Sequence, residues 1–252
     1  MPKTLIHQKP TERRPRIQGE NKLSISEMFM DTIQGEGIHT GVPSIFVRLQ
    51  GCTLACHWCD TLDVWPHGND YSFDEIFQVW EDNDVISRLK LGHHLIWTGG
   101  SPLKQQDAIV NFTDQFFTRY KFHPFTEIEN ECTLMPSQRM LNIVDTWNNS
   151  PKLANSGMKE QIRIKPDVLR ILGAFQLDSW FKFVISCEED WDEIAKDFLP
   201  FIHPLRIILM PCGQTREELM KTRELTIELA IKHNVRYCDR AHITAWDKKT
   251  GV

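Results

Sequence analysis

Long apolar runs are missing from this 252-residue chain. No stretch approaches the ~20 residues needed to cross a bilayer, so no membrane-spanning helix is expected. The opening Met1-Pro-Lys-Thr-Leu-Ile-His-Gln-Lys-Pro lacks the continuous apolar core of a secretory signal, and a cytoplasmic location is the expectation. Internal repeats and low-complexity tracts are absent too, which argues against a solenoid. No charge of one sign dominates: 29 Lys and Arg face 34 Asp and Glu, a net −5. The chain therefore has no overall pull toward nucleic acid. The first 22 residues are the local exception, with six Lys or Arg against two Glu and with Pro2, Pro10 and Pro15. They read as a flexible basic arm over 1–22 that precedes a domain over 23–252.

What is present is the ordinary mixture of a globular protein, 41% hydrophobic and 25% charged. Short apolar runs alternate with longer periodic segments, the pattern of a parallel sheet with helical crossovers. Strands are expected at 44–49, 94–98, 126–130, 161–164, 181–186, 205–210 and 235–238. Helices are expected at 74–90, 107–120, 137–147 and 215–233. Six or seven strands are too few for a closed eight-stranded barrel. The expectation is an α/β fold, a partial, open β/α barrel of about six strands. Ligands of such folds collect at the carboxyl ends of the strands.

Cysteine is scarce outside one segment, and that segment carries the chemistry. Cys52, Cys56 and Cys59 stand as Cys-x3-Cys-x2-Cys directly after the strand at 44–49. An iron–sulfur cube normally takes four cysteines, so three leave one iron open to a small molecule. In radical chemistry driven by S-adenosylmethionine, that iron chelates the methionine amino and carboxylate groups. Zinc is the competing reading, with the same thiolates plus His57 or a distant histidine. No second Cys-x2-Cys or His-x3-His pair stands downstream to complete such a site. A disulfide conflicts with a reducing compartment. Cys132, Cys187, Cys212 and Cys238 are scattered and receive no chemistry.

Other positions carry two readings each. Gly35, Gly37 and Gly41 suit a loop that approaches a ligand closely, or a surface turn. Arg48 inside an apolar strand needs an anion, either a structural carboxylate or a bidentate substrate carboxylate. Thr61 lies near the cysteines, or caps a turn. Gly99 and Gly100 end a strand beside a ligand, or simply turn the chain. Glu129 would bond an amine or ribose from a strand end. Ser150-Pro-Lys152 is a proline turn on its own terms, and His242 a packed histidine. His93 and His94 would face opposite ways in a strand and not pair as ligands.

Taken together these pieces resemble the 7-carboxy-7-deazaguanine synthase family of radical S-adenosylmethionine enzymes. The residues are Glu27-Met-Phe-x3-Ile-Gln-Gly-Glu-Gly37, Gly41-Val-Pro-Ser-Ile-Phe-Val-Arg-Leu-Gln-Gly-Cys52 and Trp58-Cys-Asp-Thr61. Thr98-Gly-Gly100, Ile128-Glu129, Ser150-Pro-Lys152 and His242…Trp246…Gly-Val252 continue the likeness. It implies conversion of 6-carboxy-5,6,7,8-tetrahydropterin to 7-carboxy-7-deazaguanine with loss of ammonia, in 7-deazapurine (queuosine) synthesis. A 5′-deoxyadenosyl radical would abstract the C6 hydrogen and later return it. By the same resemblance Cys52, Cys56 and Cys59 hold a 4Fe-4S cluster and Thr61 a magnesium ion. Ile33, Gln34, Gly35, Glu36, Arg48, Thr98, His242 and Val252 become substrate contacts. Trp58, Asp60, Gly100, Glu129, Ser150, Pro151 and Lys152 become S-adenosylmethionine contacts. An electron donor such as flavodoxin or ferredoxin and a homodimer are also implied. Two departures stand out. Gly-Gly-Ser-Pro replaces the Gly-Gly-Glu-Pro of many members, so a carboxylate is missing at Ser101 and looser cofactor binding is expected. Glu129-Asn130 stands where Glu-Thr is usual.

Overall fold

The computed structural model describes residues 1–7, 14–174 and 176–251. Ten strands form one sheet: β1 (Lys3–His7), β2 (Lys22–Ile33), β3 (Pro43–Leu49), β4 (Asn69–Ser72), β5 (His94–Gly99), β6 (Thr126–Asn130), β7 (Thr146–Asn149), β8 (Ser179–Ile185), β9 (Ile207–Pro211) and β10 (Arg236–Tyr237). The order is β1-β2-β3-β5-β6-β7-β8-β9-β10, with β4 paired to β2. From β3 to β10 every neighbour is parallel, and β1, β2 and β4 add an antiparallel margin. The sheet curls without closing, and among the described residues no helix is long and apolar enough to cross a membrane.

Strand alternation sorts the side chains. Ile45, Val47 and Leu49 of β3, Leu95 and Trp97 of β5, Ile128 of β6, Trp147 of β7 and Phe181, Phe183 and Ile185 of β8 share the main core. Their neighbours Phe46, Arg48, Thr98, Glu129, Lys182 and Val184 line a cavity on the other face. One face therefore packs the helices and the other holds the polar groups. Helix Gln106–Tyr120 brings Phe112 against Phe77 (ring centroids 4.8 Å apart) and edge-on to Trp80 at 5.3 Å. On the inner face Phe29, Phe46 and Ile96 form a small apolar group.

Several expectations need correction. The strand expected at 161–164 is a short helix, Glu160–Arg163, whose buried Arg163 donates from Nη1 to the Lys152 carbonyl at 3.0 Å. The helix expected at 137–147 ends at Ile143, and Thr146–Asn149 is a strand. The helix expected at 74–90 is two, Phe73–Asp82 and Val85–Lys90, because Asp84 takes a left-handed φ of 57°. With β7 found and 161–164 lost, the parallel run holds seven strands. Residues 3–7 of the expected basic arm pair with β2, and Ile6 is buried there. Residues 8–13 of that arm lie outside the described residues.

Candidate functional site

The cavity opens where β3, β5, β6 and β8 end and has a volume of about 190 Å³. Cys52, Cys56 and Cys59 all line it, and among the described residues no fourth cysteine does. The loop is held by close packing. A Cβ on Gly100 would collide with Cys52 and the Gly51 carbonyl, and the Ser101 N–H donates to that carbonyl at 2.8 Å. His57 is exposed and lies against Gly157, and it is not part of the cavity wall.

Structural zinc takes four protein ligands, and His57, the histidine inside the cysteine run, is exposed and outside the cavity wall. Burial pushes the Cys52 and Cys56 thiols up, against a counter-pull from Lys152. Both sites thus favour the neutral thiol until a metal displaces the proton.

The loop that follows β2 enters the cavity from the opposite side. A Cβ on Gly35 would strike the His242 ring, and the Ala241 N–H donates to the Gly35 carbonyl at 2.9 Å. Gln34 is buried, its Oε1 accepting from the Glu36 N–H at 3.2 Å while its Nε2 has no partner. Glu36 is already engaged. Lys182 donates to its Oε2 at 2.9 Å and Arg240 Nε to its Oε1 at 2.8 Å. Arg240 also bonds Asp60 through Nη2. Burial alone would raise the Glu36 and Asp60 carboxyls. Lys182 and Arg240 at Glu36, and Arg240 with His242 at Asp60, outweigh it and hold both well below the usual carboxylate range.

The remaining expected residues divide as follows. Arg48 lines the cavity, and its Nε donates to Glu27 Oε1 at 2.7 Å, so it has a structural carboxylate whatever else it binds. Thr98 donates to Glu129 Oε2 at 2.7 Å, and Lys182 lies 3.6 Å from Glu129 Oε1. Trp58 Nε1 donates to the Asn155 carbonyl at 3.0 Å, with the Lys152 ammonium 5.6 Å from its ring centroid. Lys152 donates to Ser150 Oγ at 2.7 Å. Thr61 Oγ1 is 3.5 Å from Cys59 Sγ. Ile33, Gly100 and His242 line the cavity, while Pro151 is buried outside its wall. Val252 lies outside the described residues. Glu27, Glu131, Lys182 and Arg240 were missed from sequence. The inward phase of each strand, set by Phe46 and Arg48, was the one available signal for Lys182.

A family model for a 4Fe-4S single cluster domain matches residues 33–147. A Halobacterium salinarum 7-carboxy-7-deazaguanine synthase is 30% identical, over 89% of this chain and 91% of that protein. The chain belongs to the 7-carboxy-7-deazaguanine synthase family. A second such synthase, from Pyrobaculum aerophilum, is 29% identical over 91% of this chain and 97% of its own length. The Buchnera aphidicola synthase reaches 40% over 63% of this chain and 77% of its own. The fold matches the crystal structure of QueE from Escherichia coli with a TM-score of 0.64 at 22% identity, over 88% of this chain and 95% of that one. As a synthase-family site, the three thiols fit a cluster with one open iron. Magnesium, which prefers several oxygens, would find Thr61 free of ion pairing but both neighbouring carboxylates, Asp60 and Glu36, already paired with Arg240.

Proposed function

We propose that this chain converts 6-carboxy-5,6,7,8-tetrahydropterin to 7-carboxy-7-deazaguanine with loss of ammonia, as a carbon–nitrogen lyase. One observation carries the reading: three cysteines without a fourth face the same cavity as the Gln34–Glu36 loop, Arg48 and His242, in a member of the synthase family. When bound at Cys52, Cys56 and Cys59, a 4Fe-4S cluster would supply the electron that cleaves S-adenosylmethionine. The chain's own residues do the positioning. Phe29 and Phe46 stack with centroids 4.9 Å apart and planes 5° from parallel, giving a flat apolar wall for a planar heterocycle. Gln34 offers an unpaired amide N–H to a ring carbonyl or nitrogen. Arg48, anchored by Glu27, presents its guanidinium to the substrate carboxylate. Thr61 and that carboxylate, with waters, would hold magnesium. Glu129 and Lys152, with Trp58, Asp60, Gly100, Ser150 and Pro151, would hold S-adenosylmethionine. A reduced flavodoxin or ferredoxin as donor, a homodimer and a cytoplasmic setting complete the proposal.

The test is anaerobic reconstitution with iron and sulfide, then substrate, reductant, S-adenosylmethionine and magnesium, with product read by mass spectrometry. The expected result is 7-carboxy-7-deazaguanine with S-adenosylmethionine unconsumed. A fully loaded protein that makes none, or that consumes the cofactor one-for-one, is a different radical enzyme.

A further inference from the structure

Glu131 takes no part in the reading above, yet it is one of the residues that line the cavity. It follows β6, is 4% exposed, and has Oε1 satisfied by the hydroxyls of Thr133 at 2.6 Å and Thr53 at 3.1 Å. Its Oε2 is buried with no hydrogen-bond partner. Among the described residues no cation pairs with it: Lys152, which like Glu131 acts on Cys52 and Cys132, donates instead to Ser150 Oγ at 2.7 Å. A buried carboxylate with half its acceptors empty is expensive, and a ligand bearing N–H groups would relieve that cost.

The surroundings say which part of the site it serves. Thr53 belongs to the cluster loop, next to Cys52. Its N–H donates to Ser101 Oγ at 2.9 Å, and Ser101 Oγ reaches Cys52 Sγ at 3.6 Å. Glu131, Thr53 and Ser101 are thus linked by hydrogen bonds beside the first cysteine. Ser101 is buried, uncharged, and engaged with the Thr53 N–H and Cys52 Sγ, so it offers a ligand no carboxylate. Cys132, immediately after Glu131, is buried with a left-handed φ of 64°. A non-glycine residue held there is strained, and such strain concentrates at functional sites.

We propose that Glu131 supplies the carboxylate that position 101 lacks, Oε2 accepting an N–H from the methionine amine of S-adenosylmethionine. This rests on the site being an S-adenosylmethionine site, and it reverses the expectation of loose cofactor binding drawn from Ser101 alone.

The experiment measures binding, without pterin, on anaerobically reconstituted protein. Equilibrium dialysis compares S-adenosylmethionine with its analogue lacking the amino group, for wild type, Glu131→Gln and the double variant Ser101→Glu/Glu131→Gln. Glu131→Gln keeps the side-chain volume and an oxygen for the threonines. Its affinity for S-adenosylmethionine should fall about tenfold while the analogue changes less than about twofold. The double variant should regain most of the loss. Unchanged affinity in Glu131→Gln, or equal loss for both ligands, overturns the inference. If Glu131→Gln takes up less iron, the double variant decides: restored cofactor affinity supports the relocated charge, and continued loss refutes it. A wild-type protein with full iron that binds no S-adenosylmethionine sinks the underlying reading instead.

Discussion

Arg240 divides its guanidinium among Glu36, Asp60 and the Gly213 carbonyl. Removing it leaves the mostly buried Glu36 and the partly exposed Asp60 without their shared cation, a loss of about 2 kcal/mol. Arg240→Ala should therefore lower the unfolding free energy of the reduced, metal-free chain, measured by urea denaturation, by that amount. Arg240→Lys should recover less than half, because an ammonium cannot span three acceptors in one plane. A loss below about 1 kcal/mol would make the cluster a solvated surface pair. Gly100 tests a different limit. With Cys52 and the Gly51 carbonyl where its Cβ would go, Gly100→Ala should displace the cysteine loop and cut iron uptake on reconstitution. Full uptake would show that the loop relaxes freely. Arg48 was readable in sequence because a charge interrupts an apolar run. Lys182 was not, since Phe181-Lys-Phe183 reads equally well as an exposed lysine on an edge strand. Arg240 lies in a loop without periodicity, and its two partners are 204 and 180 residues away, beyond any local pattern.

Below the catalytic cavity, the strands β5, β6 and β7 are joined by a histidine–carboxylate buttress. His94 Nδ1 lies 2.5 Å from Glu127 Oε1 and His39 Nδ1 3.2 Å from it, while Asn148 donates to Oε2. Phe125 stacks on His94 at 4.1 Å. The Glu127 carboxylate beside it, with a smaller push from Asp178, raises His39 against the lowering effect of burial. Burial acts to raise Glu127, but His39 and His94 hold it below its ordinary value. The signs fix a window. The Glu127 contribution is present above its unfolded pKa of about 4.3 and the His39 contribution below about 6.5, fading as pH rises through the raised value. Glu127→Gln should thus cost about 2 kcal/mol near pH 6 and less near pH 9, read from urea midpoints at both. A pH-independent difference would mean that His39 is neutral throughout. The longer elements here were legible: β6 has the expected bounds and helix Arg216–Lys232 falls within the expected 215–233. The four-residue β7 was not, because Met140, Ile143 and Trp147 also fit a helical repeat. Four residues at 160–163 give too few side chains to separate period two from period 3.6.

The sheet as a whole is drawn together by charge where the backbone ladder stops. Glu36 follows β2, Lys182 is on β8 and Arg240 follows β10, so one carboxylate ties together strands from opposite sides of the sheet order. Acid should undo this tie. Glu36 and Asp60 sit below their ordinary values, so their stabilisation is present above the unfolded carboxyl range and is lost as pH falls beneath about 4. Wild type should lose urea resistance steeply there, and Glu36→Gln, with one depressed carboxyl fewer, should show a shallower acid limb. Parallel limbs would assign acid sensitivity to other groups. The same distances set an order of assembly. Long-range closure is slow because loop entropy comes first. During synthesis the three thiols leave the ribosome almost two hundred residues before the arginine that locks their cavity. A newly made chain therefore carries its three thiols outside a closed cavity until that arginine has been added, an interval in which metal can reach them from solvent.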